Sequence, residues 1–156
     1  MMIKYFIFIL VLTTHPYEIQ IQDYIKSLDS DISEQRIEEL TKYFYESSKK
    51  HNVPIHILIN IAYIESRFEN KTNNGNIGVM QINWNSHKKR LIKQGLSYKD
   101  LHNDRVNIDK GAELIKLIGF SSMKTLVKKY NGRTNKKYLA MMEELNVRWK
   151  TTVESR

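Results

Sequence analysis

The chain has 156 residues, no cysteine, and 25 lysines and arginines against 17 acids, a formal charge of +8. That length suits one compact domain with a core of its own; the lack of cysteine excludes a disulfide framework and a thiolate metal site. The basic surplus favours anionic partners such as nucleic acid, phospholipid headgroups or cell-wall polymers, without choosing among them.

Lys4 precedes the apolar run 5–12, followed by the polar segment Thr13-Thr14-His15-Pro16. A charged start and roughly 7–15 apolar residues read as a secretory signal. The run is shorter than the ~20 residues needed to span a bilayer. Residues 1–16 are therefore read as a signal peptide or apolar leader with no obvious cleavage site, and 17–156 as a single domain.

Residues 17–30 give a weak, mixed signal. A helix is expected over 32–50, capped by Asp31 or Ser33, with Ile37, Leu40 and Phe44 on its apolar face. Pro54 suits the first turn of a second helix reaching 67. That helix is apolar nearly all round, as expected of a buried central element. Residues 69–79 form an Asn-rich loop. No clear hairpin stands out, and a short β-ribbon within 69–83 is left open. Short helices follow over 86–94, 97–102, 106–118 and 122–130, with Gly95 and Gly119 as terminators. After Asn131-Gly132 comes a last helix from about 135, with Tyr138, Met142, Leu145 and Trp149 on one face. The expected class is mainly α, with little or no β.

Glu65 lies near the end of the most apolar helix, three residues after Ala62, four after Ile61 and seven after Leu58. Those intervals place it on a face with buried neighbours. There, burial and the negative end of the helix dipole would both favour the protonated carboxyl. On spacing alone it could equally point outward at the helix end.

Glu65-Ser66 is followed by Gly78-Val79-Met80-Gln81-Ile82-Asn83, by Asn107-Ile108-Asp109-Lys110-Gly111, and by Tyr130-Asn131-Gly132. In this order the set resembles lytic transglycosylases of the soluble, goose-lysozyme-like superfamily, over about 32–138. Residues 81–111 resemble the small members that accompany secretion or conjugation machines. The resemblance implies a lysozyme-like helical domain cleaving peptidoglycan between N-acetylmuramic acid and N-acetylglucosamine with formation of 1,6-anhydro ends. It implies Glu65 as the single acid and base, Gln81 and the backbone near Met80 along the sugar cleft, and Tyr130 across it with its hydroxyl near Glu65. Asn131 would shape the turn presenting Tyr130, and Asn83 and Asn74 are further candidates for sugar contacts. It also implies export, to the periplasm of a Gram-negative bacterium, and action as a monomer on glycan strands without metal or cofactor. Two departures stand out. The loop 70–75 lacks the serine that many members carry, and Tyr130-Asn131-Gly132-Arg133 replaces Tyr-Asn-Ala-Gly.

Residues 70–99 contain no Asp or Glu, so the second carboxylate of ordinary glycosidases is missing from its usual place. A goose-type muramidase hydrolysing the same bond would need a water-positioning acid, and Asp100 is the first candidate. Trp84 and Tyr98 could stack on sugar rings, although core packing is the commoner role. Lys88-Lys89-Arg90, Lys128-Lys129 and Lys136-Lys137 could instead meet nucleic-acid phosphates. No aromatic RNA-binding signature or zinc spacing accompanies them, and the leader opposes that reading. A third reading is an inactive wall-binding scaffold in which Glu65 is dispensable.

Overall fold

A computed structural model describes residues 16–132 and 135–155. The expected leader, apart from Pro16, lies outside the described residues. Seven α-helices run in chain order: α1 Pro16–Leu28, α2 Glu34–His51, α3 Ile55–Ser66, α4 Trp84–Lys93, α5 Asp104–Ile118, α6 Met123–Tyr130 and α7 Lys136–Trp149. Between α3 and α4 lie three two-residue strands, β1 Thr72–Asn73, β2 Asn76–Ile77 and β3 Ile82–Asn83. The mainly α class is therefore as expected. The segment 97–102 holds only a 3₁₀ turn, Lys99–His102, and a turn of π-helix, Lys150–Glu154, follows α7.

The weak region 17–30 is a full helix. Ile21, Tyr24, Ile25 and Leu28 form a buried stripe at helical spacing. Tyr17 and Ile19, left 39% and 44% exposed, blur that stripe in the sequence. The Tyr24 hydroxyl donates to Asn60 Oδ1 at 2.7 Å and lies 3.0 Å from the Leu145 carbonyl. Asn60 donates in turn to Asn146 Oδ1 at 3.1 Å. This chain of polar contacts joins α1, α3 and α7 and satisfies a fully buried amide that would otherwise be costly.

Side chains that accept from orphan amides set most helix starts. Ser33 Oγ accepts from Arg36 N–H and starts α2. Asn83, Asn103, Ser122 and Asn135 do the same for α4, α5, α6 and α7. As a result α4 and α5 each begin two residues before the expected positions.

Helix α3 is the centre, packed against α2, α5 and α7. Ile57, Leu58, Ile59, Ile61 and Ala62 are all buried, each large one worth about 1.5–3 kcal/mol on removal from water. The helix stops one residue after Glu65. Arg67 and Phe68 both take the left-handed region, φ 54° and 63°, a conformation that costs a non-glycine residue roughly 1–2 kcal/mol. Burial of the Phe68 ring offsets that cost and throws the chain out into the ribbon.

Candidate active site

Asn74 and Gly75 both have positive φ, 49° and 78°, and join strands paired Thr72↔Ile77 and Asn73↔Asn76. An Asn-Gly pair in that conformation is the favoured two-residue hairpin turn. It was readable in the sequence, but its polar two-residue flanks gave no alternating pattern to support it. Strand β3 pairs with β2 through Asn76↔Asn83 and Ile77↔Ile82.

Ser66 joins the end of α3 to this ribbon. Its buried hydroxyl lies 2.7 Å from the Val79 carbonyl and 3.0 Å from that of Ala62. Asn107 of α5 holds the ribbon from behind. Its Oδ1 accepts from Met80 N–H at 2.7 Å, and its Nδ2 donates to the carbonyls of Ile77 at 2.8 Å and Leu101 at 2.9 Å. Gly78 and Gly111 permit the close approach. A Cβ on Gly78 would meet Asn107 at 2.4 Å, and one on Gly111 would meet Met80 Cγ at 2.7 Å.

A cavity of about 420 Å³ opens between ribbon, α5 and α6. Glu65 lies in it and, among the described residues, is the only carboxylate along its wall; Gln81, Asn83, Tyr130 and Asn131 line it too, as the sequence suggested. Asn76, His87 and Lys129 also line it; of these the sequence singled out Lys129 alone, and only as part of a basic pair. Asn74 is exposed at the hairpin tip and does not line the cavity; Asn76, across the same hairpin, does. Met80 does not reach the cleft as expected: it is fully buried, does not line the cavity, and has its N–H taken by Asn107 and its carbonyl by Tyr130. Trp84 and Tyr98 pack edge to face, centroids 5.8 Å apart, and neither reaches the wall.

Tyr130 lies close enough to Glu65 to feel its charge but does not hold the carboxyl. Its hydroxyl donates to the Met80 carbonyl at 2.7 Å. The hydroxyl on Glu65 Oε1, at 2.9 Å, belongs to Tyr138 of α7. Tyr138 was assigned to the apolar face of the last helix, and it is buried there. What could have singled it out is that a buried tyrosine hydroxyl needs a polar partner.

Burial raises the Glu65 carboxyl above the ordinary Glu range, and the Tyr138 hydrogen bond pulls back only in part. The two tyrosines beside it are also shifted upward. Burial, then the Glu65 charge, pushes both hydroxyls far up, so each remains a donor. Gln81 has φ 49°, strain of the kind that gathers at functional sites. Its Nε2 donates to the carbonyls of Lys71 and Gly78, each at 2.9 Å. What it can offer a ligand is its amide oxygen.

Asp100 is turned to Ser97, accepting from its N–H and hydroxyl at 2.6 Å each, and does not line the cavity. Glu69 pairs with Lys71 at 3.1 Å. Among the described residues no group of three or more His, Asp or Glu is placed to hold a metal ion, and no helix is long and apolar enough to cross a membrane.

A single proton-holding carboxyl in a polar cleft at the end of a buried helix is the arrangement implied by the motifs. Residues 42–142 match the family described as the transglycosylase SLT domain. The chain belongs to that family. It is thus a lytic transglycosylase acting on peptidoglycan. No curated protein and no solved structure matched. The matched span of this transglycosylase includes Glu65, the ribbon, Tyr130 and Tyr138, so every polar contact to the carboxyl falls within it.

Proposed function

We propose that this lytic transglycosylase cleaves the β-1,4 bond between N-acetylmuramic acid and N-acetylglucosamine and leaves a 1,6-anhydro end, with Glu65 as acid and then base. The supporting observation is the carboxyl, raised by burial, in a cavity with no second acid on its wall among the described residues.

Protonated Glu65 donates to the bridging oxygen as the C1–O bond breaks. The substrate's own 2-acetamido oxygen supports the cation at C1, the substrate-assisted route open to enzymes lacking a second carboxylate. Glu65, now ionised, removes the proton from the muramyl 6-hydroxyl. That oxygen closes on C1, and the carboxyl ends protonated as it began. Tyr138 steadies the ionised intermediate form. Its donation strengthens as charge appears on Oε1, because a hydrogen bond to an ionised acceptor is the stronger kind. Tyr130, held on the Met80 carbonyl, fixes the cleft wall opposite Gln81.

A hydrolase would need a group to position water. Asp100, the first candidate, is occupied by Ser97, which favours the intramolecular closure. Digestion of purified sacculi, read by mass spectrometry, separates the outcomes. Anhydromuropeptides, lighter by one water, are expected from the wild type and almost none from Glu65→Gln; reducing ends would transfer the enzyme to the hydrolases. We place it, from the leader and from the likeness of 81–111 to small secretion- and conjugation-associated members, in the periplasm of a Gram-negative bacterium, opening the wall for such a machine.

A further inference from the structure

Charge is distributed unevenly along this chain. The segments 70–99 and 114–137 hold thirteen lysines and arginines and no Asp or Glu; the remaining residues hold twelve bases and all seventeen acids. All the cavity-lining residues except Glu65 come from these two segments. The cleft therefore lies in a strongly positive half of a molecule whose other half is net negative.

The bases of that half are largely free of internal acids. Among their described members, Lys71 alone makes a salt bridge, with Glu69. Lys129, on the cavity wall, is held by the Ile118 carbonyl at 3.1 Å. Lys88 and Lys89 follow the wall residue His87 on α4 and are exposed. Beneath them, Nε and Nη2 of Arg90 are buried with no hydrogen-bond acceptor among the described residues. The Arg90 charge is felt by His87 on the wall and by Glu113 behind. Neutral sugar rings would call for amides and aromatic faces, not for this much uncompensated positive charge.

We infer that the basic flanks of α4 and α6 are a subsite for the carboxylate-bearing peptide attached to the muramyl lactyl group, so that the enzyme selects glycan still carrying its peptides over stripped glycan. This rests on the lyase reading and specifies its substrate. The lactyl ether lies on the sugar whose C1 is attacked, so its peptide leaves the cleft close to the cut bond. A positive wall there both concentrates such strands and sets their direction in the groove.

The test uses soluble, uncrosslinked strands, with peptides intact or removed by an amidase, and follows anhydro ends made by the full chain. The intact strands should show a kcat/KM about 10-fold higher at low salt, carried mainly by KM. The advantage should shrink several-fold in about 0.3 M salt, where screening is strong. Lys129→Met should lower the advantage; Lys88→Gln with Lys89→Gln, both exposed, should lower it as well and covers a failure of the first variant to fold. Equal kcat/KM on the two strands overturns the inference while leaving the lyase reading intact. A preference indifferent to salt and to these variants also overturns it. Absence of anhydro ends from both strands overturns both.

Discussion

Replacing Glu65 by glutamine keeps the side-chain shape, the Tyr138 contact and the cavity, but removes the transferable proton and the charge that follows its loss. Two proton transfers run through this group, and one well-placed acid or base is worth about 10²–10⁴-fold. The loss of kcat should therefore reach at least about 1,000-fold, with KM little changed. Stability should move the other way. Glu65 has a folded-state pKa above its unfolded value. Its contribution is fully present below the unfolded pKa and is lost as pH rises through the folded pKa. Once pH exceeds the folded-state pKa the wild type carries an ionised, half-buried carboxylate that glutamine does not. Relief of that burden should be worth about 1 kcal/mol, or roughly 2–4 °C in Tm for a chain of this size. At pH 4 the difference should vanish. Calorimetry at pH 4 and above the folded-state pKa, alongside timed release of anhydromuropeptides, gives both readings. A Glu65→Gln protein that is inactive but less stable above that pKa would refute the account of a desolvated acid.

Other substitutions probe the supports. Tyr138→Phe removes one charge-assisted hydrogen bond of about 1.5–3 kcal/mol; kcat should fall roughly 10- to 100-fold, and the limb of the pH–rate profile reporting Glu65 should move to higher pH, since the lost contact favoured the ionised form. A limb unchanged in position would deny Tyr138 that role. Asn107→Ala orphans three buried backbone groups and should cost about 3 kcal/mol or more in urea unfolding. Alanine for glycine inside a helix usually stabilises by about 1 kcal/mol, but Gly111→Ala should destabilise, because the new methyl lands on Met80; a raised Tm would show that Met80 moves aside freely.

The parts of the site legible in the sequence were those where one stretch of chain carries its own signal. The apolar run of α3, with Glu65 at its end, was readable from composition and spacing, and the order of short motifs supplied the Gln81 segment and the α5 asparagine. Elements that depend on distant partners were not readable. Tyr130 and Tyr138 lie eight residues apart on successive helices, and local pattern cannot say which hydroxyl reaches α3; the packing of α7 on α3 decides it. Helix α1 was obscured because two of its apolar residues face outward. The ribbon was obscured because two-residue strands are too short to show a period of two.

The tie between Glu65 and Tyr138 also spans the order of synthesis. The acid is made early, at the end of α3, while the hydroxyl that steadies it arrives on the last α-helix, whose Met142 and Leu145 help close the core. An incomplete chain halted before α7 would hold its carboxyl over an open interior, without the group that settles its charge. The capacity to cut peptidoglycan would thus be withheld until α7 has docked.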